Sequence, residues 1–478
     1  MRILFVMSHA GYVRNFENAI RALASRGHEV VVAFELDDPA WLGGRDPLAG
    51  LDVRRVDPPR RTKLRRAPRA AVRHSLDYLR YLEPAFAEAH KLRQRARRRV
   101  PGVVVAAARS PSMRRALHRV LAMADRALPQ GDVDKFVREQ RPDVLLVSPL
   151  VGLGSSQVEF VRAARAAAVP SALLVASWDN LTTKARLRDL PDRIVVWHDD
   201  QRREAVELHD VPDERVSVTG AHTWDHWFEW RPGRTRSELC RDAALPDDRP
   251  FILYVCSSVF IAPDEVSFVE RWLEALRARG IDAAVIVRPH PQNASRWVDA
   301  KLADEHARVW PLPAESPIDD RSRSNYFDSI ALAAAVVGAN TSALIESAIS
   351  GTPVLTVLAE ELREAQEGTL HFAHVRAAVD VAFSFDEHAE QLARARRGRL
   401  ERASSAGVPP VVRPAARARA NGRATRRRRR RVARRSALTA GTVRTWASGT
   451  SRSTSCSASA GSRATRSSAP RASRTPAA

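Results

Sequence analysis

The sequence predicts an α/β protein: two doubly wound domains facing a cleft, followed by a basic tail. Three observations carry this expectation. Apolar runs of strand length alternate with amphipathic runs of helix length, in two successive sets. A connector rich in Trp, Pro and Asp, residues 221–250, breaks the rhythm between the sets. The 478 residues suffice for two or three domains of ordinary size.

The first set opens with a strand at Ile3–Met7, a loop, a helix over Asn15–Ser25 that closes at Gly27, and a second strand in HEVVVAF. Such a β-α-β unit implies a parallel sheet whose functional edge lies at the strand C-termini. Residues 60–126 read as mostly helical. The alternation resumes with VLLVS from Val144, a helix over about 155–168, SALLVAS, IVVW from Ile194, a helix through Leu208, and VSVTG ending at Gly220. Residues 1–220 therefore form the first predicted domain, with 60–126 as a basic helical insertion.

Residues 221–400 form the second. After the connector come FILYVCSS, a helix to about Ala278, AAVIVRPHP, a helix to about His306, VWPL, a helix around Tyr326–Ala335, VVGAN, a helix over Thr341–Ser350, and PVLTVL. Residues 401–478 contain one Leu and no Ile, Phe or Tyr, too little apolar surface to offset chain entropy, so a disordered tail is expected.

The formal charge of +22 suggests a nucleic-acid binder only at first sight. The tail holds 19 arginines against one acid, Glu401, which leaves residues 1–400 with only +4. Nucleic acid is therefore not an expected partner. A non-enzymatic nucleic-acid reading rests on the run Arg426–Arg431 alone, and that tail composition equally matches GC-rich DNA read out of frame, in which case the natural C-terminal segment is missing. The insertion has 19 basic and 4 acidic residues, net +15, and fits either an anionic membrane surface or a solvated helical face. Cys240, Cys256 and Cys456 are too few for a disulfide framework or a four-ligand zinc site, which fits a reducing cytoplasm. No apolar run approaches the roughly 20 residues of a membrane span, and MRILFVM reads as a buried strand.

The most informative segment is VVGANTSALIESAISGTPVLTV, residues 336–357. A strand ends there at a small-residue loop that opens a helix. Gly338 and Ala339 would let an anion approach the backbone, Thr341 or Ser342 can cap, and the helix N-terminus favours a diphosphate. Glu346 lies one turn beyond Ser342 and can accept from a ribose diol; the alternative is a capped helix with a solvated Glu. In RPHPQN, Arg288 and His290 stand at another strand end and can donate to phosphate oxygens.

In the first domain, SWDNLTTK places Trp178, Asp179, Asn180 and Lys184 at the cleft, or else spends them on an Asx-turn. His9, in the first strand-to-helix turn, is a candidate general base toward an acceptor hydroxyl. That turn lacks G-x-G-x-x-G, so no nicotinamide or flavin is expected, and no cofactor or metal ligand set is assigned. P-loop, H-E-x-x-H and G-x-S-x-G motifs are also missing. The aromatics of VTGAHTWDHWF are expected to pack the hinge.

Taken together, ILFVMSHAGYVRNFENAIRALASRGHEVVVAF, RPHP, YFDSI, GANTSALIES, SWDNLTTK and GAHTWD resemble the GT-B glycosyltransferases, nearest the branch of CDP-glycerol glycerophosphotransferases and capsule or surface-polysaccharide transferases. His222 departs from the proline expected there. The resemblance implies two Rossmann-like domains, a nucleotide-activated donor held by the second, and a polysaccharide or lipid-linked acceptor at the first, in the cytoplasm, either free or peripheral on the inner membrane face.

By the same resemblance Arg288 and His290 would contact the donor phosphates, Ser342 the diphosphate and Glu346 the ribose, with His290 aiding departure of the nucleotide. Retaining members often show Glu-x7-Glu, but here Gly338 and Val354 occupy those spacings, which implies inversion without a metal. Glycerol-phosphate transfer and a UDP-sugar 2-epimerase of the same fold are the neighbouring readings.

Overall fold

The computed structural model describes residues 1–38, 42, 44, 46–60 and 62–405; the tail expected to be disordered lies, from 406 on, outside the described residues. Seven strands form the first sheet: β1 (Arg2–Met7), β2 (Glu29–Phe34), β3 (Arg54–Val56), β4 (Val144–Ser148), β5 (Ser171–Leu174), β6 (Arg193–Val196) and β7 (Val216–Val218). Six form the second: β8 (Phe251–Val255), β9 (Ala284–Arg288), β10 (Ala307–Val309), β11 (Ala335–Val337), β12 (Val354–Val357) and β13 (Asp380–Ala382). The spatial orders are β3-β2-β1-β4-β5-β6-β7 and β10-β9-β8-β11-β12-β13. Every pairing is parallel. These are two Rossmann-like doubly wound sheets, the GT-B arrangement predicted.

The central strands are apolar on both faces because helices cover both. Leu4 and Val6 pack into one core layer and Ile3, Phe5 and Met7 into the other, and Tyr254 and Val255 divide the second sheet in the same way. Strand order reverses at β1/β4 and at β8/β11. A ligand crevice belongs at such switch points, outside the strand C-termini.

Several boundaries differ from expectation. The first helix, α1, spans Val13–Ala24, and the one expected over 155–168 is Val158–Ala166. The helix expected to reach His306 is only Ser295–Val298; beyond it Ala300 and Leu302 still pack on the core, from an irregular segment.

The insertion folds into α2 (Lys63–Arg80), α3 (His90–Arg97), α4 (Gly102–Ala107) and α5 (Pro111–Ala127). It is not uniformly a basic surface. Arg73 is buried and donates to Asp125 (2.7 Å) and Glu159 (2.7 Å), and Asp125 also pairs with Arg162 (2.6 Å). Arg80, also buried, donates to the carbonyls of Leu181 and Lys184, each at 2.7 Å. These charges root the insertion in the first domain. On its other side α3 meets the second domain, where Lys91 Nζ donates to the Ile261 carbonyl (2.9 Å) and Arg95 lies over the Phe260 ring.

Candidate functional site

The two sheets direct their C-terminal edges at one cleft of about 650 Å³. Its walls include His9, Trp178, Asp179, Asn180 and Lys184 from the first domain and Arg288, His290, Thr341, Ser342 and Glu346 from the second. All the sequence-derived candidates meet there except Gly338 and Ala339.

Gly338 corrects the expectation attached to it. A Cβ at this position would stand 2.9 Å from the Val255 carbonyl oxygen and 2.9 Å from Val255 Cγ2. The glycine is required by the close approach of β8 to the loop after β11, and it is buried and does not line the cleft. Asn340 pins the same loop from behind, its side-chain amide donating to the Ala365 carbonyl (2.6 Å). Of the two capping candidates, Thr341 occupies the N-cap position of helix Ser342–Ser350 and makes no side-chain capping bond.

At the end of β9, Arg288 is 5 % exposed, and neither Nη1 nor Nη2 has a hydrogen-bond partner among the described residues. The guanidinium stacks against Tyr326, 5.1 Å from its ring centre, with Trp310 at 5.9 Å. Burial lowers its pKa to about 10, against a raising influence from Tyr326 and Glu315, so it remains a cation at neutral pH. A buried cation with vacant donors is costly unless an anion completes it. Two residues on, His290 Nδ1 accepts the Gln292 N–H (3.1 Å), which puts the proton of the neutral ring on Nε2. Burial and the charge of Arg14 push the His290 pKa down to about 4, so the ring is a neutral donor at physiological pH.

Glu346 is not a solvated surface carboxylate. Oε2 accepts from the Tyr326 hydroxyl (2.7 Å) and Oε1 from Trp224 Nε1 (3.3 Å). Burial raises its pKa, opposed by Tyr326, Arg14, Trp224 and Ser342. Trp224 had been expected only to pack the hinge; its indole instead orients this side chain. His222 does pack the hinge, buried and stacked on Phe16 at 5.3 Å.

On the opposite wall, His9 stands at the N-cap position of a short turn without a side-chain capping bond, beside Tyr12, ring centres 4.7 Å apart. Burial, then Arg14, lowers its pKa, leaving a neutral imidazole at pH 7. In SWDNLTTK most of the polar capacity turns inward. Asp179 accepts from the hydroxyls of Ser177 (2.5 Å) and Thr183 (2.8 Å), and Asn180 Oδ1 accepts the Ala176 N–H (3.3 Å). Burial alone would raise Asp179, but Lys184, His371 and those hydroxyls hold it down to about 2. The capping Asx-turn is not formed: Asp179 stands at the N-cap position of helix Asn180–Thr183 without a side-chain capping bond, and Asn180 accepts from a residue four positions earlier. Trp178 is buried edge-on to His371 (4.8 Å), which joins the two domains.

Arg14 was not singled out in the sequence. It extends from the first turn of α1 to donate to Ser316 Oγ of the second domain (3.1 Å), and its charge acts on His9, His290 and Glu346 together. Further links between the domains are Arg323–Glu17 (2.7 Å) and His374 Nε2–Glu204 Oε1 (2.6 Å). Among the described residues no group of three His, Cys, Asp or Glu side chains is arranged to hold a metal ion.

No family model and no curated protein sequence matches the chain. Among solved structures it is similar to the UDP-GlcNAc 2-epimerase of Neisseria meningitidis bound to UDP-GlcNAc (11% identity, TM-score 0.46, covering 84% of this chain and 92% of that one). It is also similar to a glycosyltransferase from Rickettsia africae (9%, 0.47, 82% and 88%) and to the calicheamicin glycosyltransferase (11%, 0.45, 94% and 97%). The fold stands on the strand orders and shared cleft described above, and these likenesses assign no activity to the chain.

Proposed function

We propose that the cleft binds a nucleotide-activated donor through its diphosphate and transfers the sugar, with inversion, to an acceptor hydroxyl. Arg288 carries this reading: a buried guanidinium with two vacant donors in a cleft wall, beside an uncapped helix N-terminus, is suited to a phosphate group. In the proposed reaction the neutral His9 ring takes the acceptor proton as the acceptor oxygen attacks the anomeric carbon. The bond from that carbon to the diphosphate oxygen breaks, and the nucleoside diphosphate leaves with the electron pair. Arg288 and Arg14 neutralise the charge developing on it, and His290 Nε2–H donates to it. Glu346, held by Tyr326 and Trp224, keeps acceptor capacity for the ribose, because a carboxylate offers about four lone-pair sites. This scheme uses no metal ion.

The acceptor class, a growing surface polysaccharide or glycolipid reached from the cytoplasmic side, rests only on the resemblance of the RPHP and GANTSALIES segments. CDP-glycerol transfer would use the same pocket with another donor. So would an epimerase, which needs the donor half of the cleft and no acceptor. Thermal shift with UDP, CDP, GDP and ADP tests the common element: stabilisation by at least one diphosphate is expected, and its loss in Glu346→Ala and Arg288→Met. No shift with any of them in the wild type overturns the reading. Conversion of a UDP-sugar to its epimer without acceptor would select the epimerase.

A further inference from the structure

A second surface of the first domain has no partner among the described residues. Helix α5 presents Met113 (53 % exposed), Val120 (57 %) and Met123 (61 %), and α4 presents Val103 (75 %). With the exposed Ala116 and Ala127, the α5 residues follow one another at spacings of three, four, three and four. On a helix this traces a single apolar stripe facing solvent. The opposite side of α5 is occupied, since Leu117 and Leu121 pack against the cluster of Tyr81, Phe86 and Leu92 and Asp125 is buried in its arginine pairs.

Arg115, Arg119 and Arg126, all exposed, form a strip along one flank of the stripe, and Arg98, Arg99 and Arg109 are exposed nearby. Between residues 98 and 127 Asp125 is the sole acid, and it is buried. The face therefore combines projecting apolar side chains with unopposed positive charge.

We propose that the α4–α5 face seats on an anionic lipid surface, the apolar stripe entering the headgroup boundary and the arginines meeting lipid phosphates. Charge complementarity selects this occupant over a second copy of the chain, because two such faces would bring arginine against arginine with no acid to separate them. The inference is independent of the reaction performed in the cleft.

The test is co-sedimentation of the full chain with phosphatidylcholine vesicles, with and without phosphatidylglycerol, at low and high salt. The wild type is expected to pellet only with the anionic vesicles and to be released by salt. Two variants, Met113→Ser/Val120→Ser/Met123→Ser and Arg115→Ala/Arg119→Ala/Arg126→Ala, should each weaken partitioning at least about tenfold. Their melting should be unchanged, because the altered side chains are exposed. Wild-type partitioning by the apolar variant would assign vesicle binding to another part of the chain, including the arginine run, and would overturn the proposal. So would absence of wild-type binding, or a dimer in sedimentation equilibrium that the same substitutions dissociate.

Discussion

Arg288→Met separates what this side chain does for the fold from what it does for a ligand. The guanidinium is buried without a hydrogen-bond partner at either Nη among the described residues, and its pKa falls to about 10 because burial disfavours the cation. At 1.36 kcal/mol per tenfold change in proton affinity, that fall represents roughly 3 kcal/mol against the charged form. The sign follows directly. The charged state is the disfavoured one in the folded protein, so the penalty is present at all pH values below about 10 and is relieved only as pH rises through that value. Met fills a similar volume without charge. Stacking on Tyr326 and Trp310 is partly lost, so the unliganded variant should be as stable as the wild type or more so, by up to about 3 kcal/mol.

Ligand binding should move the other way. Two charge-assisted hydrogen bonds at about 1.5–3 kcal/mol each give a loss of roughly 3 kcal/mol or more, a hundredfold or greater weakening of nucleoside diphosphate affinity. Urea denaturation of the unliganded protein and calorimetric titration with the responsive diphosphate read the two effects separately. A variant that is markedly less stable yet binds the diphosphate normally would refute the reasoning.

Gly338→Ala should cost about 1–3 kcal/mol in urea denaturation, because the new methyl meets the Val255 carbonyl at 2.9 Å and backbone cannot yield cheaply. Arg73→Ala leaves the buried Glu159 without its 2.7 Å partner and should destabilise by about 3–5 kcal/mol in the same assay. The His374–Glu204 link raises the His374 pKa through the hydrogen bond and charge of Glu204, so its contribution is complete below the ordinary histidine pKa and is lost as pH rises through the raised value. Glu204, itself raised mainly by burial, acts in the same direction. Stability measured from pH 5 to 9 should fall more steeply in the wild type than in His374→Ala. If His9 is the base, the acidic limb of kcat/KM should lie below the ordinary histidine pKa, and His9→Ala should reduce kcat/KM by about 100-fold or more.

The central strands were legible because parallel strands covered on both faces must be apolar throughout, as in ILFVM and AVIV. Edge strands carry no such demand: Arg54–Val56 and Asp380–Ala382 are short and partly charged, and neither was anticipated. In the cleft, Arg288 and His290 were visible because cations and prolines at a buried strand end have few packing reasons to be there. Gly338 was visible as a special position, but its reason is a contact with β8 that lies 83 residues earlier in the chain. Arg14 was invisible: an arginine in the first turn of an amphipathic helix is ordinary until tertiary structure sets Ser316 and Glu346 opposite it.

The arginine pairs beneath the insertion also bear on how this protein can be shortened. Excising residues 60–126 would take away Arg73 and Asp125 together and leave Glu159 on helix Val158–Ala166 without its 2.7 Å partner, whereas Arg162 keeps Asp189 at 2.6 Å. A trimmed scaffold would therefore need Glu159 replaced by an uncharged residue in the same step, while Arg162 can stay.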